Sequence, residues 1–198
     1  MELHQINIHY QPEQDRLLAK FSFTPIVEAS TASEDLATST TTKPADQGRQ
    51  EIRCHLTRRL TLRLWPAIME SMDKQVAINQ PASAMFSNDI VQMEHQSSVA
   101  LLEQHGGFSA PYEEQVQTWP LGETPLLLAT IQFHVSQDEP MRIEFIPLSG
   151  EGFAVNLTPV VLHAFCKLLQ TTVTEADWGF ELEMPGADQE SLPAHLLN

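Results

Sequence analysis

The sequence predicts an α+β fold made of duplicated β-β-β-α units, with about six strands in antiparallel sheet and helices packed on one face. Three observations lead there. Apolar and polar residues alternate over short stretches, the period of strands with one face in a core. Ile52–Thr57 running into Arg58–Met69 lines up with Phe153–Thr158 running into Pro159–Gln170, each as strand, Leu-Thr step and helix. Two further strand-like stretches precede each copy. Direct identity between the copies is only the Leu-Thr pair, so the repeat is one of pattern.

The first unit occupies 1–27 and 51–106 and carries an additional helix. Ile6, Ile8 and Tyr10 alternate with Gln5, Asn7 and His9. After a turn at Gln11–Asp15, Ala19, Phe21 and Phe23 resume the phase, which predicts a hairpin. Residues 28–50 are rich in Ser, Thr, Ala and acids, with almost nothing to bury. Such a stretch cannot offset its ordering entropy and reads as a disordered insertion. Glu51–Leu56 is the third strand, and Thr57 is placed to cap the following helix. Leu60, Leu64, Ile68 and Met72 recur every four residues along that helix. Pro66 within it is expected to kink or break it. Ser83–His105 has helical spacing and stops at Gly106-Gly107, and 107–124 reads as a linker loop.

The second unit spans 125–184. Ile131, Phe133 and Val135 alternate with Gln132 and His134. Met141, Ile143 and Phe145 alternate with Arg142 and Glu144, and Phe153, Val155 and Leu157 with Ala154 and Asn156. Thr158-Pro159 opens a helix, because proline in the first turn loses no needed donor. Trp178–Glu183 reads as a final short strand, and 185–198 as a tail.

Composition bounds the function. Hydrophobic content of 42% with 19% charged residues is that of a globular protein, and no apolar run approaches the length of a membrane span. The first residues lack the basic and apolar regions of a signal peptide. Cys54 and Cys166 fall in apolar phase and read as reduced core thiols. A cytoplasmic protein is the expectation.

The net charge of −15 repels nucleic acid and acidic membrane. Against it stands one basic cluster. Arg49, Arg53, Arg58, Arg59 and Arg63 are five of eleven basic residues, with Glu51 the sole acid among them. Arg58 and Arg59 begin a helix, where cations oppose the dipole. Arg53, Arg58, Arg59 and Arg63 are therefore the candidate anion- or partner-binding residues. Internal pairing with the protein's own carboxylates is the competing reading. The polar strand phase also collects His9, His55 and His134, weaker candidates that meet only if their strands are neighbours in register. It holds no aromatic residue, so the stacking platform of a single-strand binder is missing. No H-x-x-x-H or C-x-x-C pair points to a metal. No nucleophile elbow or glycine-rich phosphate loop is present, so no catalytic residue and no cofactor is assigned.

These features favour a non-catalytic adaptor or regulatory protein that binds another protein or itself. Ser83–His105 is a second candidate contact surface. An anion-binding module for nucleotide or nucleic acid is the alternative, and an unrecognised enzyme the third reading.

Overall fold

A computed structural model describes residues 2–24, 48–113 and 116–185. The chain runs β1 (Glu2–Gln11), β2 (Arg16–Thr24), β3 (Arg49–Thr57), α1 (Arg58–Asn79), a 3-10 turn (Pro81–Phe86) and α2 (Ser87–Gln104). It continues through β4 (Val116–Thr118), β5 (Leu126–His134), β6 (Met141–Pro147), β7 (Phe153–Leu157) and α3 (Pro159–Ala176). The fold is α+β. Six strands lie in the order β1-β2-β3-β5-β6-β7, and β4 pairs beside the start of β3. The order β-β-β-α occurs twice. Each strand set is antiparallel within itself.

The two sets meet through one parallel joint, Cys54 opposite Leu126 and His55 opposite Leu127. In a flat sheet β2 and β6 would stand about 14 Å apart, three spacings of about 4.8 Å. Yet the rings of Phe21 on β2 and Phe145 on β6 have centroids 5.1 Å apart, and Phe153 on β7 is 5.3 Å from Phe21. The sheet is therefore curled, and its two halves face each other across the core. The helices pack crosswise: α1 lies against β5 and β3, α3 against β1 and β7, and α2 rests on α1 and α3.

Several expected features differ. Strand β3 begins at Arg49, so the last two residues of the expected 28–50 insertion belong to the sheet; residues 28–47 and 186–198 lie outside the described residues. Helix α1 runs unbroken through Pro66. Pro66 is exposed, and the carbonyl it leaves without a partner belongs to Leu62, also on the solvent side. Water can satisfy that carbonyl while Leu64, Trp65 and Ile68 hold the flanking turns in the core. Thr57 caps α1 as expected, accepting from the Leu60 amide at 3.2 Å. Thr158 makes no such bond, and Pro159 alone marks the start of α3.

The stretch 107–124 is no free linker. It contributes β4 and lies over the outer face of β1–β3, where Gln5 donates to the Pro111 carbonyl and accepts from the Glu113 amide. Strands β2 and β3 are accordingly buried on both faces. Trp178–Glu183 forms no strand. It is irregular backbone, yet Trp178 and Leu182 are buried. Trp65 holds it by donating to the Glu183 carbonyl at 2.8 Å, and Gln170 by donating to the Leu182 carbonyl at 2.6 Å. Side-chain donors satisfy a buried backbone that makes no ladder.

A groove between α1 and an open strand edge

The four candidate arginines do not converge. Arg53 points to the outer face of β3 and pairs with Glu51, whose side chain is only 1% exposed. Tyr112 donates its hydroxyl to the same carboxylate. The guanidinium of Arg53 also lies over the Trp119 ring, 5.4 Å from its centroid, and Lys20 lies over Tyr112 at 5.2 Å. Aromatic residues of 107–124 thus cap the basic face that the strand phase predicts. Burial, the hydrogen bond to Glu51 and its negative charge raise the Tyr112 hydroxyl above its ordinary pKa. Arg58 turns elsewhere and donates to the carbonyl of Trp178. Internal pairing thus accounts for Arg53 and Arg58.

Arg59 and Arg63 behave differently. They stand one turn apart on α1, and neither forms an ion pair or hydrogen bond among the described residues. Both line a groove of about 440 Å³ between α1 and β5. The helix side adds Leu60 and Leu64, and the strand side Leu128, Ile131 and Phe133. Leu148, 73% exposed, closes one end. Among the described residues no carboxylate lines it.

The strand wall has an open edge. β5 pairs with β3 only at Leu126 and Leu127, because β3 ends at Thr57 and the chain turns into α1. From Thr130 to His134, beyond the end of β3, β5 has β6 on one side and no described strand on the other. A register shift between Leu128 and Thr130 bends the strand at this point. In a strand paired on one side only, half of the backbone N–H and C=O groups face outward.

The strand-phase histidines divide. His9 and His55 both stand opposite Leu18 and share one face. His9 donates to Asn7 Oδ1 at 3.2 Å, and His55 donates to Gln11 Oε1 at 2.9 Å. Burial lowers both pKa values, helped by Lys20 at His9 and by Arg16 and His9 at His55, while Glu175 opposes at His9. His134 lies seven residues beyond Leu127, the partner of His55, and contacts Glu144 at 3.3 Å instead. That places it about 23 Å along the strand from His55. The three do not form one site. Among the described residues no set of three His, Cys, Asp or Glu side chains is placed to hold a metal. Cys54 and Cys166 are buried, and burial pushes both thiols up.

On the second candidate surface, Met85, Phe86 and Met93 are 82%, 56% and 68% exposed, and Leu101 is also exposed. Ile90 is half-buried. The opposite side of α2 holds a pair that no local sequence pattern joins. His95 on α2 and His163 on α3 meet edge to face, with centroids 5.4 Å apart. The Nδ1 atoms of both are buried without a partner among the described residues. Glu94 approaches Nε2 of His163 at 3.7 Å.

Burial, with the nearby His163 and Lys167, lowers His95 from its ordinary 6.5 to about 4, against the opposing effect of a hydrogen bond to Gln170. The unfolded chain therefore takes up this proton first as pH falls. The contribution is complete above pH 6.5 and is lost progressively as pH falls through about 4. Allowing for partial solvent access, the loss is about 1–2 kcal/mol. Urea melts between pH 7.5 and 4.5 should show a shallower decline in His95→Gln than in the unmodified protein. Parallel declines would remove His95 as the cause.

No protein-family model matches the sequence, no curated protein matches it, and no solved structure matches it. No described helix is long and apolar enough to cross a membrane.

Proposed function

We propose that this protein is a non-catalytic adaptor or regulatory protein that recognises another protein through the groove between α1 and β5. One observation carries the reading: two arginines border an apolar groove that no described carboxylate lines, beside an open strand edge, in a chain of net charge −15. Strand edges and apolar grooves are recurrent recognition surfaces for protein segments. The exposed apolar residues of the 3-10 turn and α2 offer a second contact surface for a partner or another copy.

An anion-binding module is the alternative. Arg59 and Arg63 favour it, but the apolar groove wall favours a protein segment over a bare phosphate group. The enzyme reading lacks a reactive group in the groove, since its lining contains no cysteine, histidine or carboxylate.

Affinity capture from the native cell lysate, with and without nuclease, tests the proposal beside an Arg59→Glu/Arg63→Glu variant. Both side chains are exposed, so the variant should fold with stability within about 0.5 kcal/mol of the parent. A protein that survives nuclease and is lost from the variant is the expected result. Recovery that depends on nucleic acid would replace this reading with the alternative. An equal set of proteins on both forms would move recognition away from the groove.

A further inference from the structure

From the groove's geometry we infer that its occupant is an extended acidic peptide, which adds a strand to the open edge of β5 and sets two carboxylates against Arg59 and Arg63. This deepens the protein-binding reading and rests on it. Three features converge on that occupant.

The first is the edge. β3 leaves the sheet at Thr57, which the register sets opposite Ala129, and β5 continues from Thr130 to His134 with one side unpaired among the described residues. Five strand residues extend about 17 Å, room for a partner strand of similar length. The vacant position continues the line of β3, so the added strand completes a ladder the chain itself begins. Main-chain hydrogen bonds supply affinity in this mode, and side-chain pockets supply selectivity.

The second is spacing. Residues four apart on a helix stand about 6 Å apart on one face. Alternate residues of a strand point the same way and stand about 6.7 Å apart. An acidic residue at position i and another at i+2 therefore meet Arg59 and Arg63 together. An apolar neighbour on the same side of the peptide would rest on Leu60, Leu64 or Leu148.

The third is charge. The chain carries 26 acids against eleven Lys and Arg, yet among the described residues no acid lines this groove. The local field selects an acidic segment, while the field of the whole protein slows its approach. Affinity is then expected to depend strongly on contact geometry and on salt.

The test is selection from a library of random decapeptides displayed on phage, using the intact protein as target. Wild-type protein should enrich peptides with Asp or Glu at i and i+2 and without proline between them. The Arg59→Glu/Arg63→Glu variant should enrich Lys or Arg at those positions instead. A selected peptide should bind the variant at least ten times more weakly. N-methylation of the peptide amides, taken in alternating sets, should cause a similar loss in one set and little in the other. Hydrogen exchange with the peptide bound should slow at Thr130–His134.

Enrichment without acids, equal loss from both methylated sets, or protection confined to α2 would each overturn the inference. No enrichment would overturn it too. In that case a nuclease-resistant partner lost from the same variant would still uphold the broader protein-binding reading. Failure of both experiments would remove both.

Discussion

Phe21→Ala is expected to lower the unfolding free energy by about 4 kcal/mol, with the denaturant midpoint shifting at constant slope. Phe21 is fully buried on β2, but most of its ring contacts come from the other half of the sheet. Phe145 and Phe153 stack with centroids 4.7 Å apart, and Phe21 meets them at interplanar angles of 53° and 62°. Phe165 on α3 completes the group at 6.3 Å. Truncating Phe21 removes the one ring that β2 contributes to this group. The facing halves meet there through side chains alone, so no ladder hydrogen bond can close the resulting cavity. Phe86→Ala, on the exposed 3-10 turn, should change stability by less than about 0.5 kcal/mol. Equal effects of the two substitutions in urea melts would contradict the facing arrangement.

Arg53→Met is expected to cost about 3 kcal/mol, because it strands a charge rather than because it loses a surface ion pair. Glu51 is almost wholly buried, and its remaining partner is the Tyr112 hydroxyl. Removing Arg53 leaves a carboxylate with no ion-pair partner among the described residues, beneath the 107–124 segment. The double variant Glu51→Gln/Arg53→Met should recover most of the loss, since glutamine keeps the shape and an acceptor for Tyr112 without the charge. The double-mutant cycle then yields a coupling well above that of an exposed pair. If the double variant is as unstable as the single one, packing of the guanidinium on Trp119 outweighs the ion pair.

The strands were legible because alternation is local. Ile6–Tyr10, Met141–Phe145 and Phe153–Leu157 lie in strands where the two-residue phase put them. Thr57 was legible as a cap for the same reason. The fate of the arginines was only half legible. Arg53 belongs to a strand period, Arg58 begins a helix, and Arg59 and Arg63 repeat at four residues. Proximity in sequence therefore placed them on three different surfaces, and the helical spacing of the last two was already a signal that they stay together. The groove itself was not legible. It exists because Leu126 pairs with Cys54, a contact across more than seventy positions that no local pattern encodes. The covering of the outer sheet face was hidden too. Tyr112 and Trp119 sit in a stretch without periodicity, and their work lies in contacts to Glu51, Lys20 and Arg53. The stretch from Trp178 to Glu183 misled for a related reason: side-chain donors from α1 and α3, rather than a ladder to a neighbouring strand, hold its backbone.

The bare edge of β5 has a consequence for how copies of this chain treat one another. An unpaired strand edge is a template for any second edge, including its own. Two β5 edges joined about a two-fold axis would bring four guanidiniums, two from each copy, to a seam whose groove lining holds no acid. Like charges gathered at such a junction oppose it, and they do so most at low salt. The pair of arginines is therefore expected to disfavour self-templated stacking. A single surface can stay open to foreign strands and closed to kin.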